Sequence, residues 1–146
     1  DPPVTSTPLV DDSGRIVAYE SRSQVVLAQL TTNRIEGLHR LPAARAGSLR
    51  LSSDGRFTAF RDPRGHPRLY RTENGAEIAL ADSRPQPVAR TGSADLWLSP
   101  DGQWLAAHRD MYQIQIWSTD SAGATVANVH LGTLPVDLAF RRDATA

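Results

Sequence analysis

With 146 residues, 40% apolar and 22% charged, the chain is long enough for one folded core and too apolar for a disordered polymer. Its sixteen basic residues are all arginines and balance sixteen acidic ones, so neither net charge nor a basic run points to nucleic acid or a membrane surface. The absence of cysteine excludes disulfides, thiolate metal sites and a cysteine nucleophile, and no apolar stretch approaches the roughly 18 residues of a membrane span.

Along the chain, short apolar runs alternate with turn residues. The first unit reads as strands over 8–10, 15–20, 24–30 and 35–39, with the tight acidic turn Asp11-Asp12-Ser13-Gly14 after the first of them. The second reads as strands over 48–52, 56–60, 68–72 and 77–81. Its turns Ser53-Asp54-Gly55 and Glu73-Asn74-Gly75 each offer a side-chain acceptor and a glycine free to take positive φ. Pro63, Gly65 and Pro67 are expected to keep the middle connection out of the ladder. The third unit repeats the plan over 95–99, 103–108, 113–118 and 125–130, with Pro100-Asp101-Gly102 as its first turn. Pro135 to Asp143 then matches the opening strand and turn of a fourth.

The turn glycines Gly14, Gly55 and Gly102 stand 41 and 47 residues apart, the period of a four-stranded propeller blade. Two residues past each lies Ile16, Phe57 or Trp104, and four past lies Ala18, Ala59 or Ala106, a large and a small side chain on one strand face. The intervening positions are also largely apolar, which predicts strands covered on both faces, as blades cover one another. The expected fold is therefore all-β, with almost no helix and blades over 8–42, 47–82 and 94–131, followed by a partial fourth over 135–146. Three blades and a fraction fall short of the about four to eight that close a ring. Either the chain is a segment of a larger propeller, the favoured reading, or it associates with further blades, one option being a homodimer of two partial rings.

Leu98-Ser99-Pro100-Asp101-Gly102-Gln103-Trp104-Leu105-Ala106, followed by Ile114-Gln115-Ile116-Trp117-Ser118-Thr119, resembles the Ser-Pro-Asp-Gly signature and Trp-Asp strand of WD-repeat and TolB-like β-propellers. The resemblance runs through three copies, sharpest in the third. Ser118 stands where a WD repeat has Asp, and Gly65-His66 falls in a mid-blade loop instead of at the start of a unit, which favours the looser TolB-like pattern. The resemblance implies a scaffold presenting loops to another protein or peptide. Such domains are attached to kinases, transcriptional regulators and signalling ATPases, or act in bacteria as periplasmic assembly factors.

Chemistry of other kinds finds little support. His39, His66, His108 and His130 have no metal-ligand spacing, and His108 and His130 read as structural side chains closing apolar strands. No nucleophile elbow, phosphate loop or zinc motif is present. Asp11-Asp12-Ser13-Gly14 lacks the alternating ligands of a calcium loop and reads as a hairpin. The expectation is a non-enzymatic chain without cofactor or metal. The best binding candidates lie on one rim, where second-to-third-strand connections and blade-to-blade connections emerge: Arg64, His66, Arg109 and Tyr112, with Arg84 and Arg90 in the stretch 82–93. Solvated loops with no partner are the plain alternative. Two further readings stay open: an accessory propeller of a larger peptidase, kinase or ATPase, and a small-ligand site using Trp97, Trp104 or Trp117.

Overall fold

The structure is a computed structural model that describes residues 7–21, 24–83, 96–109, 113–120 and 125–130. Twelve strands form three four-stranded antiparallel sheets, each a meander in chain order, and no helix occurs among the described residues. The first blade comprises β1 (Leu9–Val10), β2 (Ile16–Ser21), β3 (Gln24–Thr31) and β4 (Arg34–Leu41). The second comprises β5 (Arg50–Leu51), β6 (Phe57–Arg61), β7 (Pro67–Arg71) and β8 (Glu77–Ile78). The third comprises β9 (Leu96–Leu98), β10 (Trp104–His108), β11 (Gln113–Ser118) and β12 (Thr125–His130). The expected partial fourth unit over 135–146 lies outside the described residues.

Strand limits differ from the sequence reading in instructive places. β5 and β8 pair over two residues where five were expected, because the chain leaves the ladder at both ends to make the connections between blades. Pro67 is part of β7 and stands opposite Arg61, contrary to its expected exclusion; as the first residue of a strand it needs no amide donor.

Each first hairpin closes on the same hydrogen bonds drawn from different residues. In the second blade Ser52 Oγ accepts the Phe57 amide at 3.0 Å and donates to Asp54 Oδ1 at 2.7 Å, while that carboxylate accepts the Arg56 amide. The third blade repeats this with Ser99, Asp101, Gln103 and Trp104. In the first blade the pair is exchanged: Asp11 stands where the serines stand and accepts both the Arg15 and Ile16 amides, and Ser13 donates to it at 2.7 Å. This exchange explains why the first unit looks degenerate as sequence although its backbone is the same.

Register assigns each strand face to a neighbouring blade. The trailing face of the first blade, with Ala18, Val25, Leu27 and Leu41, packs on the leading face of the second, with Leu49, Phe60 and Tyr70. Phe57, Ala59, Leu69 and Ile78 on the trailing face of the second blade pack in turn on Leu96, Leu105, Ala107 and Trp117 on the leading face of the third. Every residue of β6 is buried, as the expectation of strands covered on both faces requires. The short first strands β1, β5 and β9 approach one another, so the blades meet along their inner edges.

The hairpins themselves form a chain of contacts. The Asp12 amide donates to the Ser53 carbonyl at 2.7 Å, and the Ser53 amide donates to the Pro100 carbonyl at 3.1 Å, linking first blade to second and second to third. The turn glycines take φ of +71°, +75° and +73°. At Gly55 a Cβ would stand 2.9 Å from Asp11 Oδ2, and at Gly102 it would stand 2.9 Å from Phe57 Cδ2, so two of the three glycines also permit the approach of the preceding blade.

Candidate interaction rim

The ends of β2, β6 and β10 lie on the side of the sheets opposite those hairpins, and the β6–β7 loop emerges there. The β6–β7 loop is organised by Asp62. Its Oδ1 accepts the amides of Arg64 at 2.9 Å and His66 at 3.0 Å, an Asx-type turn that fixes the loop backbone. Its Oδ2 accepts Arg68 Nε and Nη2 at 3.2 and 3.1 Å, and Arg68 Nη1 donates on to Glu77 Oε1 at 2.8 Å. Gly65 closes the turn with φ of +92° and an amide bond back to the Asp62 carbonyl.

Below the loop lies Arg61, only 2% exposed. Its Nη1 donates to the Gly65 carbonyl at 2.8 Å and its Nη2 to the His108 carbonyl at 3.1 Å, tying the loop to the end of β10 in the next blade. A second tie runs the other way. The Ala81 carbonyl accepts Trp117 Nε1 at 2.8 Å and Gln115 Nε2 at 3.1 Å, holding the connection after the second blade against the third. Asp82, in the left-handed region at φ 52°, then pairs with Arg109 Nη2 at 3.1 Å.

The four sequence-derived candidates therefore have different fates. Arg64 is exposed at the tip of the Asp62 loop. His66, two loop positions on, is half-buried, with Nδ1 3.6 Å from Asp62 Oδ2. Arg109 is engaged with Asp82 and its side chain is only 15% exposed, which makes it a tie between connection and blade. Tyr112, like Arg84 and Arg90, lies outside the described residues. His130, expected as a structural side chain, is exposed at the end of β12, whereas His108 is buried with its ring 5.4 Å from that of Trp97. Trp117 is a core residue, while Trp97 and Trp104 are half-buried.

Sequence reasoning missed Arg61, Asp62 and Arg68 as a unit. One signal was present: Arg61 shares a strand face with Phe57 and Ala59, and a charge in phase with an apolar stripe must find buried partners.

Burial pushes the Asp62 carboxyl up, but the His66 amide and the Arg68 guanidinium outweigh it and leave the group below the ordinary carboxylate range. A depressed folded-state value means stability fully present above the unfolded value of about 3.9 and lost as pH falls through the folded one. Asp62→Asn should therefore lower stability by about 2 kcal/mol at neutral pH, with the gap to wild type closing as urea denaturation is repeated from about pH 5 down to pH 2. A gap independent of pH would show that the charge of Asp62 does not hold the loop.

Neither a family model nor a curated protein matches the chain. Solved structures do. A eukaryotic initiation factor superposes with a TM-score of 0.65 at 21% identity, over 90% of this chain and 33% of that one. The C-terminal WD40 domain of Sif2 gives 0.53 at 22% identity, over 80% and 34%. A putative 6-phosphogluconolactonase from Bacteroides uniformis gives 0.55 at 15%, over 89% and 41%. At these identities the likeness shows the fold, a β-propeller built of four-stranded blades. The chain spans well under half the length of each of these structures.

Proposed function

We propose that the chain is a non-catalytic β-propeller segment whose rim docks another protein or a peptide, with the β6–β7 loop as the recognition element and Arg64 as its contact residue. The observation that carries this reading is the combination of an exposed guanidinium with a fully tied loop. Asp62 holds the Arg64 and His66 amides, and Arg61 secures the Gly65 carbonyl to the third blade. A long side chain on a rigid base loses less entropy on binding than one on a mobile loop, and arginine joins broad contact area to directional hydrogen bonding. Propeller scaffolds present loops in this way, and a WD40 domain is among the similar structures.

A second reading, an accessory propeller within a larger enzyme or signalling protein, draws on the short span of the chain against the similar structures, one of which bears an enzyme's name. It shares the docking rim and differs in what else the polypeptide carries.

The test is selection of a random peptide display library on the wild-type chain, followed by affinity measurement against Arg64→Glu. Selected peptides are expected to lose about tenfold or more in affinity, equivalent to about 1.4 kcal/mol, with Tm unchanged. Peptides that bind wild type and Arg64→Glu equally well would remove this loop from the function.

A further inference from the structure

The chain has no net charge, yet among the described residues the charges are sorted along the strand direction. At the hairpin end stand Asp12, Glu36, Asp54, Glu73, Asp101 and Asp120, all exposed, with Arg15, Arg34, Arg56 and Arg71 among them. Arg56 is shared by several of those acids: its Nε lies 2.6 Å from Asp54 Oδ2, and Asp101 and Asp120 attract it as well. At the rim end the balance is reversed. Arg45, Arg50, Arg61, Arg64, Arg68 and Arg109 gather there, against Glu20, Asp62, Glu77 and Asp82.

The rim carboxylates are already engaged. Asp62 holds the Arg64 and His66 amides and Arg68, Glu77 holds Arg68, Asp82 holds Arg109, and Glu20 is buried and attracts Arg50. Arg50 and Arg61 spend their donors on backbone carbonyls. Of these arginines, Arg45 and Arg64 hold no guanidinium hydrogen bond or ion pair among the described residues. Arg64 is exposed, whereas Arg45 is half-buried and its Nη1 is closed to water without an acceptor. A charged donor kept partly dry and unpaired gains more from an arriving anion than a fully hydrated one does.

The two arginines belong to one patch. The Arg45 amide donates to the Arg61 carbonyl at 2.6 Å, Ser48 Oγ accepts the Arg61 amide at 3.0 Å, and the Ser48 amide closes a turn on the Arg45 carbonyl at 3.1 Å. The connection from first to second blade therefore lies against the base of the Asp62 loop, whose tip carries Arg64.

We infer that the segment docked at this rim is an acidic peptide, and that Arg45 and Arg64 receive its carboxylates at the joint of the first and second blades. This rests on the rim reading above and adds the chemistry of the partner. A carboxylate is planar with two acceptor oxygens, which matches the donor fork of a guanidinium. The acids of the hairpin end lie a strand length away. The five residues of β6 span about 17 Å, beyond the screening length of about 8 Å at physiological ionic strength, so those acids repel the segment little.

The peptides selected on the wild-type chain are the probe. They are expected to be enriched in Asp and Glu over the unselected library, and to lose about tenfold or more in affinity when those residues become Asn and Gln. Against Arg45→Met the acidic peptides should lose about as much, with Tm unchanged or raised, while their Asn and Gln versions lose less than about threefold. A merely structural Arg45 would cost both forms alike. Arg15→Glu, a charge reversal at the hairpin end, should change affinity by less than about twofold. Peptides that need Arg64 but show no excess of acids, or that bind wild type and Arg45→Met equally well, would overturn the inference and leave the rim reading standing. A loss on Arg15→Glu as large as on Arg45→Met would reduce the effect to net charge and overturn it too. Peptides indifferent to Arg64→Glu would overturn both.

Discussion

Gly102→Ala should destabilise the chain by about 3 kcal/mol, and Gly14→Ala by only about 1 kcal/mol, although the two glycines occupy equivalent turns. Both have φ near +70°, where an L side chain costs about 1 to 2 kcal/mol by itself. The difference lies in what the new methyl meets. At Gly102 it would stand 2.9 Å from Phe57 Cδ2 and 3.3 Å from Ser52 Cβ. Phe57 has little room to recoil, being buried in the core between second and third blades with the Arg56 and Arg71 guanidinium groups 5.4 and 5.7 Å from its ring centre. At Gly14 it would meet nothing within 4 Å. Urea denaturation of the two variants, at dilutions below any self-association, isolates the contact between blades from the backbone penalty they share. Equal losses of stability would mean that the hairpins do not press on one another.

Arg61→Met should lower stability by about 3 kcal/mol despite similar side-chain volume. The guanidinium donates to two carbonyls, Gly65 in its own blade and His108 in the next, and hydrogen bonds to a charged donor are worth about 1.5 to 3 kcal/mol each. Methionine leaves both carbonyls without that donor. All three tryptophans belong to the third blade, so their fluorescence reports this joint selectively. In the variant it should change at lower urea than the far-ultraviolet circular dichroism of all three sheets, because the strut that couples the blades is gone. A change in stability below about 1 kcal/mol, with coincident transitions, would demote Arg61 to a tolerated buried charge.

The hairpins were legible from sequence because their chemistry is local. A glycine that must take positive φ, a serine or aspartate that must accept an amide a few residues ahead, and a step of two between same-face residues all act within one unit, so Asp54-Gly55 and Asp101-Gly102 announce themselves. The first unit was harder to recognise because Asp11 and Ser13 exchange roles, and a linear comparison sees two mismatches where the hydrogen bonding sees none. The rim was only partly legible. Arg64 and Arg109 read alike as loop arginines, yet one is exposed and the other is paired with Asp82, because the Ala81–Asp82 connection is held to the third blade by Trp117 and Gln115. Arg61 read as the first residue of the rim loop and Arg68 as an ordinary strand residue, and their ties were not legible for the same reason: their partners come from other strands, and in Arg61's case from another blade.

The amino-acid order alone determined strand-rich units at a blade-like period, which residues turn and which side chains share a face, since steric limits on φ and the two-residue pleat hold whatever surrounds them. Only the tertiary structure decided which face meets which blade, that one blade's Asp11 closes the space over another's Gly55, and which arginines are ties and which is exposed. Those outcomes depend on groups tens of residues apart being brought within 3 to 4 Å, and packing geometry sets such distances where local chemistry does not.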